Sequence, residues 1–138
     1  MKARVTWAGD MMFVGEGGSG HAIVMDGAPE AGGRNMGLRP MEMLLVGMGG
    51  CTAFDVVLIL KRGREPVTDC IVELDAERAE TDPKVFTRIH VKYLVTGKAL
   101  DPRKVERAVQ LSAEKYCSAS IMMGQMATIT HEVVVQEA

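Results

Sequence analysis

Hydrophobic and polar residues alternate at the start of the chain, with Ala3, Val5 and Trp7 interleaved with Lys2, Arg4 and Thr6. A period of two predicts a half-buried strand. Gly9-Asp10 offers a tight turn into a second strand near Met11–Glu16. The glycine-rich run Gly15–Gly20 leads into a third strand, His21–Asp26. No helix follows that run, so it reads as a flexible hairpin loop and not as a phosphate cradle. From Pro40 to Arg62 the pattern changes to one that is apolar nearly all round, which predicts a helix buried on every side. Pro40 suits its first position, Glu42 its first turn, Lys61 and Arg62 its last turn, and Gly63 its C-cap. Cys70, Val72, Leu74 and Ala76 then alternate with charged residues, as do Ile89, Val91, Tyr93 and Val95 after a turn at Thr81–Lys84. Asp101-Pro102 opens a second helix with the stripe Val105, Ala108, Val109, Ser112 and Tyr116, ending near Cys117–Ser120. A short Met-rich turn, Ile121–Met126, precedes a last strand in which Ile129, His131, Val133 and Val135 share one face.

The order is βββ-α-ββ-α-β, an α+β fold with mostly antiparallel pairing around a long central helix. No repeat or linker divides the chain, so residues 1–138 are expected to form a single domain. One six-stranded sheet covers one face of a helix, and a helix that is apolar all round needs a second cover. A second copy of the chain is the expected cover, which predicts a homodimer with Pro40–Arg62 near its centre. The alternative is a monomer in which the second helix and loops do the covering.

Composition narrows the function classes. The 138 residues are 47% hydrophobic and 25% charged, with a net charge of −2. No basic excess exists to neutralise a phosphate backbone, so nucleic acid is not expected as a partner. Glu42, Asp55 and the three glycines 47, 49 and 50 argue against a membrane span in the long apolar helix. The first residues hold no apolar signal-peptide core, and three cysteines do not make a secreted disulfide scaffold. The expected compartment is the reducing cytosol. The 11 methionines suit either an adaptable pocket or plain core packing.

Candidate chemistry centres on the cysteines. Cys51 lies mid-helix, sharing a face with Leu44, Gly47, Met48 and Asp55. The default for such a cysteine is inert packing, but the glycines beside it open space around the sulfur. Cys117 sits between two helical segments, where the end of one disfavours a thiolate and the start of the next favours one. Cys70 reads as structural. His90 falls on a charged face, and His131 reads as a satisfied core histidine. The histidines show no metal-ligand spacing, and no metal or cofactor is expected; a zinc site from Cys51, Cys117 and His131 is geometrically possible and is not the expected reading.

Two segments resemble a known family. Arg39-Pro40-Met41-Glu42-Met43-Leu44 with Gly49-Gly50-Cys51 is similar to the Asn-Pro-Glu-Glu-Leu…Ala-Ala-Cys segment of the OsmC/Ohr family. Lys115–Ser120 resembles its second-cysteine segment, Cys-Pro-Val-Ser. Ser19-Gly20-His21, Asp55-Val56-Val57 and Asp69-Cys70 resemble the YhfA-like branch. The resemblance implies an OsmC-like fold, an intertwined homodimer with interfacial sites, and thiol-dependent reduction of organic hydroperoxides. It implies Cys51 as the peroxidatic thiol and Cys117 as the resolving thiol, restored by a small dithiol or thioredoxin-like reductant. A pocket lined by Met48, Met122, Met123 and Met126 would suit a hydrophobic hydroperoxide. The family holds an Arg–Glu pair at the thiol; Arg34 and Glu42 are the candidates here, with Met41 at the family's Glu position and Arg39 replacing its Asn. Asp55 would disfavour a thiolate unless it is itself paired. The alternatives are a non-catalytic binder of a hydrophobic small molecule and a redox sensor.

Overall fold

The computed structural model describes residues 1–138 as two compact units, Met1–Val46 and Gly47–Ala138. In the first, β1 (Ala3–Trp7), β2 (Phe13–Gly17) and β3 (Ala22–Met25) form an antiparallel meander in the order β1-β2-β3. Gly9 and Asp10 both take positive φ, 94° and 45°, which lets the chain reverse between β1 and β2. The Gly17–His21 segment closes the β2–β3 hairpin through Gly17 N–H donating to the His21 carbonyl at 3.0 Å.

The only buried side chain of this unit is a carboxylate. Asp26 is 2% exposed. It accepts N–H bonds from Gly27 at 2.7 Å, Met36 at 3.1 Å and Arg34 at 3.2 Å, and so organises the segment that links β3 to the long helix. Gly33 packs flat against Gly27 there, and any Cβ on it would overlap the Gly27 carbonyl. Burial raises the Asp26 carboxyl, but the three N–H donors and the Arg34 charge outweigh it and hold its pKa below the ordinary 3.8. A depressed folded-state pKa contributes stability that is fully present above the unfolded value and lost as pH falls through the folded one. Acidification below pH 3.8 is therefore expected to release amide protection over residues 27–36, measured by hydrogen exchange. Asp26→Asn removes that acid dependence.

The long helix α1 runs Pro40–Arg62, as its pattern predicts. Arg39 caps it: the Arg39 carbonyl accepts the Met43 N–H at 3.0 Å, and Glu42 reaches back to the Arg39 N–H at 2.9 Å. At the other end Glu65 N–H donates to the Leu60 carbonyl at 2.9 Å, and Arg64, not Gly63, takes the left-handed cap conformation at φ 61°.

In the second unit, β4 (Val67–Arg78) and β5 (Phe86–Gly97) pair antiparallel, and β6 (Thr128–Glu137) pairs with β5 in parallel. The strands thus form two three-stranded sheets within the chain, and not one six-stranded sheet, while the pairing is mostly antiparallel as expected. The parallel edge follows from the connection: two helices carry the chain back along the sheet before β6 begins. The core comprises Met48, Val56 and Leu60 of α1, alternate β5 residues Ile89, Val91, Tyr93 and Val95, and Val105, Ala108 and Val109 of α2 (Pro102–Leu111). Asp101 caps α2 by accepting the Arg103 N–H at 3.0 Å.

Burial on every side of α1 does not hold within one chain. Its buried residues are Met48, Gly49, Thr52, Val56 and Leu60, while Phe54 is 69% exposed. By length and composition the helix could cross a membrane. Core helices of globular proteins share that property, and in this one the packed stripe includes a hydrogen-bonded threonine.

Candidate functional site

The second helix changes character before its cysteine. After Leu111 the backbone widens into a π-turn over Ser112–Tyr116. Such turns are frequent at functional sites. The wider turn rotates Tyr116 off the apolar stripe, so it is 50% exposed while Ser112 is fully buried. The π-turn delivers Cys117 as the N-cap of α3 (Ser118–Met123), its N–H held by the Ser112 carbonyl at 2.8 Å.

Cys117 is completely buried. Its sulfur accepts the Ser120 hydroxyl at 3.0 Å and the Ser120 N–H at 3.3 Å. Burial nevertheless dominates and raises its pKa above the ordinary 9.0, with the Ser120 donors opposing; a hydrogen-bonding and charge interaction with Cys51 raises it further. Of the two helix ends, the start of α3 supplies the donors that favour a thiolate, and burial outweighs them. Thr52, next to Cys51 in the chain, has its hydroxyl 2.8 Å from that of Ser112, and the Ser112 carbonyl holds the Cys117 N–H, so the two cysteines share one neighbourhood although they are far apart in sequence. Both are free thiols, Cys51 half-buried and Cys117 buried.

The glycines around Cys51 divide into two kinds. A Cβ on Gly47 or Gly50 would meet nothing within 4 Å, whereas one on Gly49 would come within 2.7 Å of Leu74 Cδ1. Gly49 serves packing; Gly47 and Gly50 leave open space. Gly50 also lines an apolar groove of about 450 Å³ with Ala53, Phe54, Val57 and Cys70.

A buried polar chain lies next to the thiols. Tyr93 OH and Thr52 Oγ1 are 2.8 Å apart, Thr52 Oγ1 and Ser112 Oγ are 2.8 Å apart, and Ser112 Oγ donates to Asp55 Oδ2 at 3.0 Å. Asp55, the carboxylate one turn after Cys51, is therefore hydrogen-bonded, with no cation paired to it. Burial raises the Tyr93 phenol first, the Thr52 bond lowers it, and nearby Cys117, Cys70 and Asp55 raise it, so the net effect keeps its proton on.

Other predicted residues have other partners. Glu42 is engaged at the helix start. Arg34 pairs with Asp10 across 3.4 Å in the first unit. Met48 is core, while Met122 and Met126 are 72% and 68% exposed in the single chain. His131 faces the same side as Val91 but is exposed, and is not a core histidine. Cys51, Cys117 and His131 do not come together as a metal site, and no other group of three or more His, Cys, Asp and Glu side chains does. Thr52, Ser112, Tyr93 and Ser120 were not singled out from the sequence as site residues. Ser112, a hydroxyl on an otherwise apolar stripe, was the available signal.

The family profile described as OsmC-like protein matches residues 32–132. The chain belongs to the OsmC-like family. It is similar over its whole length, at 48% identity across 141 aligned residues, to protein YhfA of Escherichia coli strain K12, covering 100% of both chains. The crystal structure of a hypothetical protein from Aquifex aeolicus VF5 superposes with a TM-score of 0.87 at 31% identity, over 99% of this chain and 96% of that one. The organic hydroperoxide resistance protein OhrB of Bacillus subtilis shares the OsmC-like fold at a TM-score of 0.62 and 22% identity, over 97% of this chain and 98% of that one.

Proposed function

We propose that this protein is a thiol-dependent peroxidase that reduces organic hydroperoxides to alcohols in the cytosol, working as an intertwined homodimer. The observation that carries the proposal is the pairing of a half-buried Cys51 with a fully buried Cys117 whose thiol burial keeps protonated. The more accessible sulfur is the one an incoming peroxide meets, and the sequestered one waits as a thiol. OhrB is an organic hydroperoxide resistance protein on the same fold, which supports this chemistry.

The Cys51 thiolate attacks one oxygen of the peroxide, the O–O bond breaks, and the alkoxide leaves as an alcohol after taking a proton. Cys51 becomes a sulfenic acid. The Cys117 sulfur then attacks the Cys51 sulfur; an S–S bond forms, the S–O bond breaks, and hydroxide leaves with the Cys117 proton as water. An external dithiol or thioredoxin-like protein returns two electrons and regenerates both thiols. Arg34 is the candidate activating cation and Glu42 the carboxylate that would hold it; each now holds another partner, Asp10 and the Arg39 N–H, and would have to release it to do so.

The homodimer is supported by apolar surface that one chain leaves uncovered. Val5 and Trp7 of the β1-β2-β3 sheet are 61% and 66% exposed, and that unit has no apolar core of its own. A lone three-stranded sheet needs a covered hydrophobic face to be stable.

Purified protein with excess dithiothreitol is expected to consume cumene hydroperoxide over many turnovers. One oxidation per chain without turnover would assign a redox sensor instead. No consumption above the buffer rate would overturn the enzyme assignment and favour a non-catalytic binder.

A further inference from the structure

The hydrogen-bonded chain beside the thiols has a fixed direction. The Asp55 carboxylate only accepts, so the single Ser112 proton is committed to it. Thr52 must then donate to Ser112, and Tyr93, its proton retained, must donate to Thr52. The sequence Tyr93→Thr52→Ser112→Asp55 leaves none of the four side chains without a partner. It joins three elements: Tyr93 on β5, Thr52 and Asp55 on α1, and Ser112 at the mouth of the π-turn. Thr52 and Asp55 are three apart and so face the same way on α1.

Ser112 is bonded on two sides. Its hydroxyl is held by Thr52 and Asp55, the first of which follows Cys51 directly. Its carbonyl holds the Cys117 N–H at 2.8 Å. A single buried residue therefore links the Cys51 helix to the Cys117 backbone. A π-turn is a locally looser helix than an α-turn, so an anchor at its start limits how far Cys117 can wander.

We infer that Ser112, held by Asp55 and Thr52, is a positioning residue that fixes the Cys117 sulfur against Cys51 and sets how readily the two form a disulfide. The Ser112 and Asp55 side chains hydrogen-bond to neither sulfur; they act through the backbone of Cys117. The effective concentration of one thiol at the other depends on that restraint. This assignment rests on the dithiol chemistry proposed above, and its consequence is a shifted thiol–disulfide equilibrium with any oxidant, peroxide or not.

The test equilibrates the full chain with mixtures of reduced and oxidised glutathione, quenches with an alkylating reagent, and measures the Cys51–Cys117 disulfide by mass spectrometry. In each cycle two thiols are oxidised to one disulfide and oxidised glutathione is reduced to two glutathiones. Ser112→Ala and Asp55→Ala are expected to lower the equilibrium constant about tenfold, the equivalent of one ordinary hydrogen bond. Asp55→Asn keeps an acceptor oxygen for the Ser112 hydroxyl and is expected to restore the constant to within about twofold of the parent. Circular dichroism checks that each variant is folded; should Ser112→Ala fail to fold, the Asp55→Ala and Asp55→Asn pair decides. Folded alanine variants with the parent equilibrium constant overturn the positioning role and leave the peroxidase proposal standing. A parent protein that forms no Cys51–Cys117 disulfide overturns both.

Discussion

Cys51→Ser is expected to lower kcat/KM for cumene hydroperoxide by about 10³-fold or more, because a serine hydroxyl at neutral pH has no comparable nucleophilicity toward a peroxide oxygen. Cys117→Ser is expected to behave differently. The buried thiol is needed only after the O–O bond has broken, so this variant should release about one equivalent of alcohol per chain in a burst and then stall. Its Cys51 would accumulate as sulfenic acid and, with more peroxide, as sulfinic acid. Cys70→Ser separates the roles. Cys70 lies on β4 along the groove that Gly50 also lines, and burial raises its thiol first, with Asp69 adding to the rise. Its replacement should leave turnover intact. Steady-state and single-turnover assays of the three variants distinguish these outcomes. Full activity in Cys51→Ser would falsify the peroxidatic assignment.

The second large effect concerns assembly. Phe54 projects from α1 at 69% exposure, beside Ala53, Val57 and Leu58 along the groove described above. In a two-fold interface every residue is used twice. Burying a phenylalanine contributes about 1.5–3 kcal/mol, so the two copies contribute about 3–6 kcal/mol. Phe54→Asp removes that contribution and would place two carboxylates in an apolar interface. Dissociation is expected to become about 10²–10⁴-fold easier. Sedimentation velocity should show the parent at twice the chain mass of 14.9 kDa and the variant shifting to a single chain as it is diluted. A parent that runs as a single chain at every concentration contradicts the dimer.

The physical origin of what was legible in the sequence is visible residue by residue. The α1 boundaries follow from local chemistry: Pro40 fits a first turn, Glu42 reaches back to the Arg39 N–H, and the apolar run stops at Lys61-Arg62. The alternation of β5 was equally clear because its buried face is continuous, Ile89-Val91-Tyr93-Val95. The parallel β5–β6 pairing was not, since periodicity carries no strand direction and only the tertiary path of α2 and α3 decides it. The π-turn was hidden because its residues, Ser112–Tyr116, continue a helical pattern; the widening shows only in the rotation of Tyr116 to the surface. Gly63 looked like the helix cap on composition, yet Arg64 takes the left-handed conformation, a choice set by the exit path toward β4.

At the site, the two thiols were legible as candidates and their environment was not. Asp55 read as a threat to a thiolate, since its partner, Ser112, lies 57 residues on. The hydroxyls of Thr52 and Ser112 looked like ordinary small residues on apolar faces until both were seen fully buried and bonded to each other at 2.8 Å. Arg34 illustrates the reverse case: the family resemblance makes it the candidate for the arginine at the thiol, and its contact in the structure is Asp10.

The most direct test of the central claim is to mix the reduced protein with one equivalent of cumene hydroperoxide, alkylate, and map the cysteines without reduction. The account predicts a Cys51–Cys117 disulfide, one equivalent of alcohol and an alkylated Cys70. Intact hydroperoxide with Cys51 and Cys117 both alkylated, or oxidation confined to Cys70, would contradict it.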